Sequence, residues 1–331
     1  MRTALFDEGK TLLFASDHQA NSHHLKVVII DDLGFTHKRI AIEHEFYPLA
    51  SKRLGSKYIL AGYTMRGDSS FPTLVSLNRI NLDLKVAVID DYEGVLNGIE
   101  ADRSGLEFLA VGWVRKSQTK DYLWVLGSYQ LNISGIYPES IDEEEVYMDV
   151  VQGEDGWYIL GHQNLGANRD LSLTKLDPLL QQVWRKTYGS TEYEEAQNLV
   201  LTSQNKIVIA AHSAEKDPMH QALQMSLDYQ GNIEWEKHSG DAMHEGCEAV
   251  IETQDANLAF AIRTESHSET SDIQFVIRNR FGELISEELI IEDGINDAYH
   301  IIERSNDYLL IGRQIEVGTA DDNLYIVKVP K

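Results

Sequence analysis

The stretch that decides the fold is residues 196–237, AQNLVLTSQNKIVIAAHSAEKDPMHQALQMSLDYQGNIEWEK. It divides into four apolar-rich runs, at 196–202, 207–211, 223–228 and 233–237, parted by polar turns holding Asn, Asp and Gly. Short runs rich in Val, Ile, Leu and Trp are strand signals, and no helical period competes with them here. One sheet of four short strands cannot bury both of its faces, so the stretch reads as one unit of a repeat.

Working outward, the second run recurs along the chain. It ends at Ser16, Gly62, Gly112, Gly161, Ala211, Ile262 and Gly312, with spacings of 46, 50, 49, 50, 51 and 50. A second landmark, a strand running into a polar turn, ends at Gly34, Asn81, Asn132, Leu180, Gly231 and Gly282, with spacings of 47, 51, 48, 51 and 51. Two landmarks with one period predict a seven-bladed β-propeller, all-β, in a single domain. The blades run approximately over 1–43, 44–90, 91–140, 141–190, 191–241, 242–293 and 294–331. The last holds three strand runs, which predicts 27 strands and a ring without strand exchange at its closure; a truncated chain would show the same deficit.

Units four and five resemble a bacterial β-propeller repeat family. The resemblance rests on Glu194-Glu195-Ala196, Trp157-Tyr158-Ile159-Leu160-Gly161, Lys175-Leu176-Asp177 and Trp184-Arg185-Lys186-Thr187-Tyr188-Gly189, with Asp228, Gly231, Trp235 and Lys237 in the next unit. It fades over units one to three. It implies the propeller and hands over no catalytic residues. Trp184 and Trp235 are expected to pack between neighbouring blades.

Composition narrows function by exclusion. The 331 residues carry 53 Asp+Glu against 29 Lys+Arg, a formal charge of −24. That balance argues against nucleic-acid and anionic-membrane binding, which need clustered cations. A hydrophobic content of 43% is enough for a substantial core and excludes a disordered chain. Cys247 is the single cysteine, so no disulfide framework exists. No signal-peptide core or membrane-length apolar run is visible. The chain as given reads as soluble, either cytoplasmic or the mature form of a secreted protein, and a monomer is expected.

Nucleophile-elbow, P-loop, dinucleotide-binding, zincin and EF-hand signatures are missing. The remaining signal is positional. Loops joining successive blades, and loops joining second to third strands, emerge on one face of a propeller. The first set carries Glu43, Glu45, Asp90, Asp91, Glu93, Asp142 to Glu145, Glu192, Glu194, Glu195, Asp241, Glu245, Glu292, Asp293 and Asp297. The second carries Asp68, Asp121, Asp170, Asp217, Asp272, Asp321 and Asp322, together with His18, His23, His24, His162, His212, His220 and His267. The expectation is an acidic, His-bearing face, with Glu45, Glu144, Glu194 and Glu245 as its representatives. It would hold a basic protein or peptide, or a divalent cation. The competing reading makes these carboxylates turn formers that accept backbone N–H bonds.

The residue after each second-strand landmark should lie near the mouth of the channel. These are Asp17, Tyr63, Trp113, His162, His212, Arg263 and Arg313. The mixture suits a small ligand: rings to stack on, guanidinium groups for an anion, imidazoles for proton transfer. A satisfied polar plug over the core is the alternative. Two functions follow. The first is a non-enzymatic binding or interaction module using the acidic face. The second is a hydrolase or lyase at the channel mouth with His162 or His212 as acid/base, with a divalent metal as its candidate cofactor.

Overall fold

The computed structural model describes residues 2–19, 22–31, 34–43, 45–116, 119–139, 144–166, 168–214, 220–240, 243–267, 270–316, 318 and 322–331. The first sheet comprises β1 (Arg2–Asp7), β2 (Lys10–Gln19), β3 (Ser22–Asp31) and β4 (Gly34–Ile42). The second holds β5 (Glu45–Leu54), β6 (Lys57–Arg66), β7 (Ser69–Asn78) and β8 (Leu84–Val88). The third holds β9 (Glu93–Ala101), β10 (Glu107–Arg115), β11 (Lys120–Ser128) and β12 (Ile133–Glu139). The fourth holds β13 (Glu145–Gly153), β14 (Gly156–Leu165), β15 (Asn168–Leu176) and β16 (Gln182–Tyr188). The fifth holds β17 (Glu194–Leu201), β18 (Ile207–Ser213), β19 (Gln221–Leu227) and β20 (Ile233–Ser239). The sixth holds β21 (Glu245–Glu252), β22 (Leu258–Thr264), β23 (Asp272–Arg278) and β24 (Leu284–Ile290). The seventh holds β25 (Ile295–Glu303), β26 (Asp307–Ile315) and β27 (Asp322–Pro330).

The fold is a seven-bladed β-propeller. Each sheet is a meander of consecutive strands, six of four and the last of three, as the repeat predicts. Among the described residues no helix is long and apolar enough to cross a membrane. The chain divides into two compact units, Met1–Gln152 and Gly153–Lys331, each with its own core.

In both units the second strand is buried on both faces, which is why it reads as an unbroken apolar run and not as an alternation. In β22, Leu258, Phe260 and Ile262 join one cluster with Val208, Ala210 and Val276. Ala259 and Ala261 point the other way, against Ala298, Tyr308 and Leu310. The first unit repeats the device: Leu60 packs with Phe14, Phe46 and Val75, while Ile59 and Ala61 pack with Leu96, Phe108 and Leu123.

The landmark glycines have a steric cause. A Cβ on Gly62 would fall 1.9 Å from the Tyr47 carbonyl oxygen, and one on Gly112 would fall 1.9 Å from that of Val95. The first strand crosses too closely there for a side chain. Beside this crossing the first strands bulge. Register shifts leave Leu49, Asn97, Gln197, Glu248 and Tyr299 as extra residues at equivalent points. A bulge breaks the inward/outward alternation and re-aims the side chains beside it.

The tryptophans pack between blades as expected. A Cβ on Gly231 would meet the Trp184 ring at 3.0 Å, and one on Gly282 would meet Trp235 at 2.8 Å. Trp235 Nε1 also donates to the Arg280 carbonyl at 3.0 Å.

Candidate binding site

In the first unit two of the three predicted channel-mouth positions, Tyr63 and Trp113, are aromatic, and the third is Asp17. Tyr63 sits opposite Tyr47 in the β5–β6 register, and the two rings stack with centroids 4.8 Å apart. Trp113 sits opposite Val95 and carries the Lys120 ammonium 4.9 Å from its ring centre. Asp17 lies on β2 opposite His24, and its side chain lies outside the described residues.

In the second unit the same positions are ionic. His212 faces Glu195 in the register, Arg263 faces Gly246 and Arg313 faces Asp297. Arg313 Nε donates to Asp297 Oδ2 at 2.8 Å, and the Tyr299 hydroxyl donates to the same oxygen at 2.9 Å. His212 does not stop at its own strand. Its Nε2 lies 3.1 Å from Glu248 Oε1 on the next blade, with Arg263 Nε 3.9 Å from the same oxygen. Gly246 makes this reach possible, because a Cβ there would fall 2.3 Å from His212 Nε2.

Around this pair the electrostatics are ordered. Burial pushes the His212 imidazole down, but the charge and hydrogen bond of Glu248, with the charge of Glu195, raise it above the ordinary histidine value. Burial works to raise Glu195, yet the charge of His162, the Tyr193 hydroxyl, His212 and Arg169 hold it below the usual carboxylate range. Tyr193 donates to Glu195 Oε2 at 2.8 Å. His220, with ring centroids 6.4 Å from His212 and 5.6 Å from His244, is lowered by burial and then by those two neighbours. Burial, followed by the Asp297 charge, drives the Tyr299 hydroxyl far up. His162 is buried in β14.

The acidic-face residues divide. Glu144 is half-buried and pairs with Lys120 at 3.1 Å, and Glu45 accepts from the Tyr47 hydroxyl. Glu194 and Glu245 are 2% and 1% exposed. Glu194 accepts from the Ser190 amide and hydroxyl at 3.2 and 2.9 Å and from Ser213 at 3.2 Å. Glu245 accepts from Thr264 at 3.3 Å and from Ser266. These two carboxylates tie loops to strands from within. Of the remaining expected acids, Asp142, Glu143, Asp217, Asp241 and Asp321 lie outside the described residues.

Sequence reasoning missed Glu248 and Tyr299, the partners that organise His212 and Arg313. Their signal was present as a spacing: Gln197, Glu248 and Tyr299 fall 51 residues apart, each three residues after the matching Glu194, Glu245 or Asn296. Among the described residues no three His, Cys, Asp or Glu side chains converge as a metal site.

Comparison with known proteins adds the fold alone. No known protein family and no curated protein matches the chain. Among solved structures, hydrazine synthase from Kuenenia stuttgartiensis is similar with a TM-score of 0.64 at 11% identity, over 99% of this chain and 94% of that one. The β-propeller domain of the trilobed protease from Pyrococcus furiosus, described as having an open velcro topology, gives 0.59 at 8% identity, over 98% and 91%. A candidate 6-phosphogluconolactonase from Bacteroides uniformis gives 0.57 at 10% identity, over 87% and 85%.

Proposed function

We propose that the protein is a binding propeller whose inter-blade loop ends capture a basic protein or peptide segment. The observation that carries this reading is how cations and acids are distributed at those ends. In the first unit Arg66 pairs with Asp90 at 2.6 Å, Arg115 with Glu93 at 3.5 Å and Lys120 with Glu144 at 3.1 Å, while Asp68 and Asp91 stay exposed without an ion pair among the described residues. In the second unit Arg313 is paired to Asp297, and Arg263 lies within 3.9 Å of both Glu248 and Glu265. Glu192, Glu292 and Asp293 remain exposed there. Most cations at these ends are thus already matched, Lys116 having only the Pro138 carbonyl as partner among the described residues, and the charge left over is negative. Such a surface raises the encounter rate with a cationic partner and does so less as salt rises.

The test is binding of a fluorescent lysine-rich peptide to the full chain at low and physiological salt. Reversal at Glu192→Lys with Asp293→Lys is expected to weaken binding several-fold, while Glu107→Lys, at a turn on the opposite end of its blade, leaves it nearly unchanged. Equal effects from both would overturn the reading. A second reading, proton donation by His212, has one observation in its favour: Glu248 Oε1, 3.1 Å from its Nε2, raises the imidazole above the ordinary histidine value. Hydrolysis of a glycoside or ester panel, lost in His212→Gln, would favour it over docking.

A further inference from the structure

Where the third strand of one blade opens beside the first strand of the next, the chain repeats a pair of polar residues, all buried except the half-buried Asp170. The third-strand members are Asp121, Asp170, Gln221 and Asp272, spaced 49, 51 and 51. The first-strand members are Glu145, Glu194, Glu245 and Asn296, with the same spacings. Backbone contacts one residue away mark the adjacency. Arg169 bridges Tyr193, the Glu245 amide donates to the His220 carbonyl at 2.7 Å, and the Asn296 amide donates to the Ser271 carbonyl at 2.9 Å. The last two junctions match an acid with an amide, whose N–H groups can answer a carboxylate. The Asp170–Glu194 junction sets acid against acid, as does Asp121–Glu145. Two neighbouring carboxylates with little access to water are favoured to share a proton or take up a cation, and here Glu194 is buried and Asp170 half-buried.

The Asp170–Glu194 junction also has room. Glu194 lines a cavity of about 350 Å³ whose apolar wall is Tyr188, Leu223, Met225 and Ile233 and whose polar wall is Thr187, Ser190, Ser213 and His238, with Glu236 on its rim. Gly189 in the same wall marks where the two acids meet. A Cβ there would fall 2.5 Å from Asp170 Oδ1 and 2.8 Å from Glu194 Oε2. Asp170 Oδ1 is buried with no hydrogen-bond partner. Glu194 is answered by two hydroxyls and one amide and by no cation among the described residues. Burial raises the Asp170 carboxyl above its ordinary value, as expected of an acid lacking a positive neighbour.

We propose that the Asp170–Glu194 pair, with the cavity beside it, binds a small primary alkylammonium group. The ammonium supplies the N–H donors and the charge that the two carboxylates lack, and the apolar wall takes the alkyl body. A bare metal ion fits less well, because among the described residues no three His, Cys, Asp or Glu side chains converge here. A cavity of this volume lies within the range of small-ligand pockets, roughly 300–1,000 Å³. The assignment is independent of the loop-end docking reading, since exposed acids play no part in it.

The experiment titrates the full chain with n-butylammonium chloride by calorimetry, with thermal shift as a second readout. Tetramethylammonium chloride serves as the control that has charge but no N–H. Saturable binding of butylammonium and none of tetramethylammonium is expected. Glu194→Gln and Asp170→Asn, which copy the acid–amide pairs of the last two junctions and should fold, lose at least about tenfold in affinity, the scale of a charged hydrogen bond. Gly189→Ala blocks binding with both acids in place. Stronger binding of butylammonium than of Nα-acetyl-lysine amide supports a free amine, and the reverse identifies a partner's lysine side chain as the source of the same group. Equal responses to the two ammonium ions, or unchanged affinity in all three variants, would overturn the proposal, as would calcium binding that butylammonium does not displace.

Discussion

The residue that follows the second-strand landmark is aromatic in the second and third blades, at Tyr63 and Trp113, and ionic at His212, Arg263 and Arg313, on one backbone register. Tyr63 meets Tyr47, and Trp113 lies under the Lys120 ammonium. His212 meets Glu195 and Glu248, and Arg313 meets Asp297. At Tyr63, His212 and Arg313 a bulged first strand supplies the neighbouring groups, and at Trp113 the third strand supplies Lys120, so the repeat fixes the position and the neighbours fix the chemistry. Stacked rings need no counter-charge and are indifferent to pH near neutrality. Buried ion pairs depend on a proton being in place. The two units should therefore answer differently to mutation and to pH.

The largest difference is expected at Glu248. Its side chain and that of His212 are both buried, and removing one partner of a buried pair typically costs about 3–5 kcal/mol. Glu248→Gln keeps a polar group in place, so roughly 3 kcal/mol at pH 6 is a fair upper figure. The sign of the pH effect follows from the raised His212 value. The folded state binds the proton more tightly than the unfolded chain, so the pair's contribution is complete below the ordinary histidine value and is lost as pH climbs through the raised one. Urea unfolding of the wild type and Glu248→Gln should thus show a gap that is wider at pH 6 than at pH 8. A gap that stays constant would mean His212 carries no linked proton.

The ionic unit is also where sequence reading stopped short. Blade number, strand count and the landmark positions follow from period alone, because both faces of every second strand must be apolar and the crossing demands a small residue. Register position located His212 and Arg313. What period does not reveal is a bulge, since one inserted residue leaves the spacing intact while turning Glu248 and Tyr299 toward the network. Nor does a count of acids separate Glu194, held by hydroxyls and an amide inside the molecule, from Glu192, exposed two residues earlier. Gly246 illustrates the same limit. Its meaning lies in His212, 34 residues away in the sequence and 2.3 Å from its absent Cβ.

A smaller effect is expected in the aromatic unit. Tyr63→Leu keeps apolar contact but removes the stacked ring pair, worth about 0.5–1.5 kcal/mol beyond area burial. The same urea measurements should give this loss equally at pH 6 and pH 8. The Tyr63 hydroxyl is raised by burial and by Glu45, so it titrates nowhere near that window. A pH-dependent loss at Tyr63 would show that the ring supports an ionic group and would erase the contrast between the units.

The smallest effect belongs to His220, and it sharpens the comparison inside the ionic unit. His220 and His212 lie 6.4 Å apart by ring centroid yet are displaced in opposite directions. The cause is pairing: Glu248 answers the charge on His212, while His220 meets burial and two further imidazoles. For a histidine whose folded value is lowered, the unfolded chain takes the proton first, so stability falls as pH drops below the ordinary value toward the lowered one. Over the same interval the loop end gains positive charge. Capture of a lysine-rich peptide should therefore weaken between pH 7 and pH 5 in the wild type and weaken less in His220→Gln. Peptide titrations at matched ionic strength measure the difference, expected to be two- to threefold, about 0.5 kcal/mol, as for an exposed charge pair. If His220→Gln follows the wild-type curve throughout, the proton uptake lies elsewhere, and the peptide does not sense this histidine.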